Sequence, residues 1–225
     1  MLVYRIPDGL SLSGRSVCDN CGQQIRIQDN IPILGWLIRR GRCYYCGNRI
    51  SRTYLLVEIL ATPVFYILAV RSSNLLEALS TLVFAVLGTA LIIIDIRHHR
   101  LPDALTFPLF LILTGLTILK SLLNDEMDTI KRALILSFVA FVFLLTLRFA
   151  SRGGMGLGDV KLAPSIAMVT ASQSLEATLW AFSIAFISAG VASIVLIFFR
   201  KATRKSWIPF GPFLILGGLM IVATG

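Results

Sequence analysis

The chain has 225 residues, of which 56% are hydrophobic and 15% charged, with a mean hydropathy of +0.81 and a formal net charge of +9. That balance excludes an ordinary soluble domain of this size and points to an all-α polytopic membrane protein. The basic excess does not point to nucleic acid, because membrane proteins gather Lys and Arg in their cytoplasmic loops, so membrane lipid is expected among the partners and nucleic acid is not.

In chain order, Met1-Leu2-Val3-Tyr4-Arg5 is too short for a signal peptide, since it lacks an apolar core. A polar segment follows that holds all four cysteines, as Cys18-Asp19-Asn20-Cys21 and Cys43-Tyr44-Tyr45-Cys46. Two sulfurs spaced C-x-x-C can turn towards one ion, and two such pairs complete a closed tetrahedral site, so Cys18, Cys21, Cys43 and Cys46 are expected to hold a structural zinc. Structural disulfides are the competing reading, and they are rare in the reducing cytosol. This reading sets residues 1–54 apart as a small cytosolic zinc module and leaves 55–225 as a transmembrane core.

The core contains six apolar stretches, Leu55–Val70, Leu75–Ile94, Ala104–Leu123, Ala133–Phe149, Ser174–Phe199 and Pro209–Thr224, most of them near the 17 to 25 residues that a spanning helix needs. A seventh, Val160–Thr170, is short and is expected to form a tilted or half-inserted helix after a flexible glycine-rich run. With seven crossings and a cytosolic N-terminal segment, Arg97, Arg100, Arg148, Arg152, Arg200, Lys201, Arg204 and Lys205 fall inside with the arginines of residues 1–54. Only Arg71, Lys120, Lys131 and Arg132 then fall outside. The asymmetry favours this orientation and the seventh crossing.

Two carboxylates interrupt the apolar pattern on that cytoplasmic side. Asp95 closes the run Leu75–Ile94, and Asp159 follows Gly153-Gly154-Met155-Gly156-Leu157-Gly158. An ionised Asp at a helix centre costs about 2.5 to 3.5 kcal/mol to insert, so intramembrane acids tend to be functional. Two at one depth suit acid-base cleavage of an amide, one accepting a proton from water while the other donates towards the scissile group. Standing alone, without Asp95 and the surrounding motif, Asp159 would read sooner as a helix N-cap. Asp103 reads as a turn or helix-start residue, and His98 and His99 as parts of a solvated loop. Lys161 reads as neutralising Asp159 or reaching for the surface, and Glu58 as a first-turn acid or a site residue for a second activity. An intramembrane transporter and a non-catalytic assembly factor are the other classes considered. Neither repeated halves nor broken helices support the first, and the second has no need of both aspartates.

Together these residues resemble the type IV prepilin peptidase family, through Gly156-Leu157-Gly158-Asp159 with Val160-Lys161-Leu162, Asp95 with Leu101-Pro102-Asp103, and both cysteine pairs. Asn30-Ile31-Pro32, Gly41-Arg42-Cys43, Tyr54, Val57-Glu58 and Pro209-Phe210-Gly211-Pro212 add to the match. The resemblance implies an aspartyl endopeptidase of the bacterial cytoplasmic membrane with Asp95 and Asp159 as its catalytic pair. Its substrates would be prepilin-like proteins, cut between a short basic leader and the membrane helix that follows. It also implies N-methylation of the new amino terminus with S-adenosylmethionine, the cysteine-bearing segment marking the forms that do so. Members usually begin with a further span, apparently missing here, and a truncation or a misplaced start is the expected cause. Leu55 stands where many members carry Pro.

Overall fold

The computed structural model describes residues 17–18, 20–31, 33–151, 154–199 and 209–224, in two compact units, Met1–Ile67 and Leu68–Gly225. Residues 1–16, Asp19, Pro32, Arg152, Gly153, the basic stretch 200–208 and Gly225, which carry parts of the motif and charge readings, lie outside the described residues. The described residues form helices and two isolated β-bridges but no strand, as the all-α expectation requires.

The first unit is built from tight turns. A 3-10 turn, Ile27–Asn30, packs on the short helix α1, Leu34–Ile38, and the contact needs Gly35, where any Cβ would run into the Asp29 carbonyl. Ile33, just before α1, has φ 61, an uncommon conformation for a β-branched residue. Its N–H is held at 2.7 Å by the Glu58 carboxylate of α2, Arg52–Arg71. Glu58 therefore braces a strained turn. Its placement late in the second turn of α2 differs from the start-of-span reading, because α2 begins at Arg52, three residues ahead of the apolar run.

The second unit contains α3 (Leu75–His98), α4 (Asp103–Leu123), α5 (Met127–Ala150), α6 (Leu157–Ala171), α7 (Leu175–Phe198) and α8 (Gly211–Thr224). Helices α3, α4, α5 and α7 are long and apolar enough to cross a membrane, and α8 is a shorter apolar helix. Side-chain caps fix two of the starts: Asn74 accepts the Glu77 N–H and Ser174 the Ala177 N–H, each at 2.9 Å.

The short helix α6 is the centre of this unit. It packs against α4, α5, α7 and α8, and Val160, Leu162, Ala163, Ile166, Ala167 and Met168 on it are fully buried. Among lipid-embedded helices close packing, more than water exclusion, supplies the attraction, which favours small residues at the contacts. Gly217 of α8 lies where a Cβ would strike the Ala181 carbonyl of α7, and a Cβ on Gly218 would meet Phe84 of α3 at 2.9 Å. Leu at either position would force the helices apart. Pro164 removes one backbone donor inside α6, and its own carbonyl accepts the Ser137 hydroxyl of α5 at 3.0 Å.

Two boundaries differ from the sequence reading. Helix α3 continues past Asp95 to His98 and stops at His99, which adopts φ 49 and donates its N–H to the Asp95 carbonyl at 2.8 Å. Helix α6 begins at Leu157, ahead of Asp159, because Gly156 takes an extended N-cap conformation; the helix is lodged among its neighbours.

Candidate active site and metal centre

Asp95 occupies the last turn of α3 and Asp159 the first turn of α6, and both are buried. They converge on the first residue of α8. A Cβ placed on Gly211 would lie 2.7 Å from Asp95 Oδ2 and 3.4 Å from Asp159 Oδ1, so both oxygens surround one point. The Gly211 N–H faces both carboxylates, and the Gly156 N–H faces Asp159. Oδ2 of Asp95 is buried and accepts no hydrogen bond. A bare acceptor beside a second acid can share a proton with it.

Each glycine of the surrounding motifs has a steric reason. A Cβ on Gly156 would approach Asp159 Oδ2 to 3.0 Å, and one on Gly158 would meet Leu101 Cβ at 2.7 Å. Leu101, from the loop between α3 and α4, also lies 3.1 Å from the Cβ position of Gly211. The loop after one aspartate is thus wedged against both the helix bearing the other and the start of α8. Asp103 is the first residue of α4, and both of its oxygens accept from Lys161 Nζ at 2.8 Å. Lys161 therefore pairs with Asp103 and not with Asp159, at a partly exposed position that agrees with its reading as a residue reaching for the surface. His98 and His99 are exposed, but His98 is the last residue of α3 and His99 its cap, so the solvated-loop reading is corrected for His98.

Lys161 and Asp103 also line one end of a groove of about 700 Å³, walled by Thr106, Phe107 and Phe110 of α4, Phe138 and Phe141 of α5, and Pro164 of α6.

In the first unit the sulfurs of Cys18, Cys21, Cys43 and Cys46 all lie within 4.8 Å of one another, and none is in a disulfide. The Cys18 and Cys46 sulfurs are 3.8 Å apart, against roughly 3.8 Å for the edge of a tetrahedron with Zn–S bonds near 2.3 Å. The cluster can hold a metal ion, and its chemistry and spacing fit zinc. The two pairs are built alike. Cys18 N–H bonds Gln23 O and Gly22 N–H bonds Cys18 O, while Cys43 N–H bonds Asn48 O and Gly47 N–H bonds Cys43 O. Gly22 and Gly47 take φ +68 and +67, and bridges Val17 to Gln24 and Arg42 to Arg49 close the two loops. The Asn48 N–H first, and then the Asn20 side chain, draw the Cys46 thiol down to about 6. Cys21 stands at about 11: the Gln23 N–H pulls it down, but desolvation and the other three thiols hold it up. Four crowded sulfurs release their protons in steps, which a cation completes.

Sequence reasoning singled out the aspartates and the cysteines, which the structure brings together in two clusters, but not the place of Gly211, Gly22 and Gly47 beside them. The signals were present as Pro209-Phe210-Gly211-Pro212 and as a glycine directly after each cysteine pair.

Fold and site together define a multi-pass helical membrane protein with two aspartates buried against each other. The chain belongs to the type IV leader peptidase family, whose model matches residues 82–223, and a bacterial peptidase A24 N-terminal domain matches residues 1–72. It is 33% identical over 210 residues to a prepilin leader peptidase/N-methyltransferase of Dichelobacter nodosus, covering 93% of this chain and 71% of that one. A protein of the same name from Vibrio cholerae is 28% identical over 240 residues, covering 98% and 89%. A type 4 prepilin-like proteins leader peptide-processing enzyme of Escherichia coli is 30% identical over 213 residues, covering 92% and 75%. No solved structure matches the chain.

Proposed function

We propose that this chain is an aspartyl endopeptidase of the bacterial inner membrane that removes the leader from prepilin-like proteins at the cytoplasmic face. Asp95 and Asp159 act as the catalytic pair. The observation that carries the reading is the convergence of both carboxylates on Gly211 in a chain of the leader peptidase family.

Two carboxylates converging on one point do not readily both ionise, so we assign the pair one proton between them. The ionised member takes a proton from water as its oxygen attacks the scissile carbonyl, and the protonated member donates towards that amide and its leaving nitrogen. The proton belongs to the pair, so neither aspartate is assigned a fixed role. Burial excludes bulk water, and the Gly211 N–H faces both acids. The apolar walls Phe107, Phe110, Phe138 and Phe141 of the groove support a substrate with an apolar segment.

Residues 1–54 form a cytosolic module in which Cys18, Cys21, Cys43 and Cys46 hold zinc, and residues 55–225 form the protease core. With four thiolates the ion has no open position, so it fixes the two loops and takes no part in cleavage. The names of the relatives couple the peptidase to an N-methyltransferase, and we assign methyl transfer from S-adenosylmethionine to this chain on that basis. The described residues contain no strand, so no glycine-rich strand-to-helix turn is formed among them to take an adenosine cofactor. Co-expression with a panel of prepilins, followed by mass analysis of their amino termini, tests the assignment. Shortened, methylated products are expected, and intact leaders throughout the panel would overturn it.

A further inference from the structure

We propose that the Asp103–Lys161 ion pair is a positioning latch that sets the separation of the two aspartates, a reading that rests on their assignment as the catalytic pair. Asp95 and Asp159 are carried by helices of opposite sense, Asp95 near the end of α3 and Asp159 near the start of α6. Between α3 and α4 the chain makes a short turn, His99 to Pro102, and nothing in its covalent structure ties that turn to α6.

Beyond the packing of α4 on α6, two contacts provide the tie beside the aspartates. The first is apolar: Leu101 is packed so closely on Gly158 that no Cβ fits between them. The second is the two-oxygen grip of Asp103 on Lys161 Nζ, at 2.8 Å to each oxygen. The latch residues sit close to the pair in sequence, Lys161 two residues after Asp159 and Asp103 two after Leu101. A charge-assisted contact of one ammonium with both carboxylate oxygens fixes the approach of the two side chains. Packing of α4 on α6 sets their gross approach, Leu101 fixes one point of the loop, and the partly exposed ion pair adds a second fixed point beside the aspartates that sets the spacing of α3 and α6. Lys161 makes this bond with Asp103, so it acts on the aspartates through position.

The test uses the full chain in phospholipid vesicles with a prepilin that the wild type cleaves. Asp103→Asn and Lys161→Met should each lower kcat by roughly 10- to 100-fold, the scale of an ångström-size misplacement, with KM nearly unchanged. The swap D103K/K161D should recover most of that loss, and Lys161→Arg should remain near wild type. A second readout needs no activity. Nitroxide amino acids at Ile96 and Leu157, both exposed and each close in sequence to one aspartate, should give a narrow distance distribution in the wild type. It should broaden in each single variant and narrow again in the swap. Wild-type kcat in either single variant, a swap no faster than its parents, Lys161→Arg as slow as Lys161→Met, or an effect confined to KM would each overturn the latch. An unchanged distance distribution would do so as well. If cleavage instead survives Asp95→Asn and Asp159→Asn, the catalytic assignment itself has failed, and the distance measurement still decides whether the latch exists.

Discussion

Gly211 concentrates the argument at the scale of single residues. It is an ordinary helix-start glycine in sequence, yet in space it has a carboxylate oxygen of each aspartate about it. Gly211→Ala would place a methyl group 2.7 Å from Asp95 Oδ2, closer than real contacts allow, so one acid must move. Small-to-large changes in packed interiors cost about 1–3 kcal/mol. A displaced general acid or base loses on the order of 100-fold in rate. The variant is therefore expected to fold and to retain at least most of its thermal stability while cleaving a prepilin far more slowly. Wild-type activity in Gly211→Ala would show that the aspartates do not use this geometry. The aspartates themselves were legible as lone acids in apolar runs, since hydrocarbon makes any charge conspicuous. Gly211 was not, because its role is the absence of a side chain at a point that only the folded chain defines.

Among the elements, α6 and the cysteine loops show what periodicity can and cannot reveal. The apolar run from Val160 marked a helix, but a short one with no polar face gives no sign of whether it lies at an edge or at the centre. Its burial by α4, α5, α7 and α8 is a tertiary fact. The helix also starts before Asp159, because a glycine-rich run that reads as flexible can equally supply an extended cap followed by a tight first turn. The cysteine loops were read from spacing alone, and the structure adds that each closes through a glycine with positive φ. Gly22→Ala and Gly47→Ala force a Cβ into that conformation, at a cost of more than about 1 kcal/mol each. Both should weaken zinc retention against a chelator, with the metal content of purified protein as the readout. A Cys18→Ser, Cys43→Ser double variant should hold no zinc. A metal-free wild type with unchanged folding and activity would remove the zinc assignment.

For the whole molecule, the charge asymmetry predicts a direction across the bilayer. Helices α3 and α4 are joined beside the aspartates, and α4 and α5 meet again at Asn124–Glu126, the other end of both helices. Cysteine-labelling in a variant whose native cysteines are replaced should therefore reach Arg97–Arg100 only from the cytosol and 124–128 only from outside. The reverse pattern would place the leader-cutting site on the wrong side of the membrane for the proposed substrate. The central claim is tested most directly by the cleavage rate of Asp95→Asn and Asp159→Asn, since Asn keeps the size of the side chain and removes its titration. Each substitution is expected to abolish leader removal while the protein still inserts and folds, and the double variant should be no worse than either alone, because the two acids act as one unit. Leader removal at the wild-type rate in either Asn variant would contradict the account.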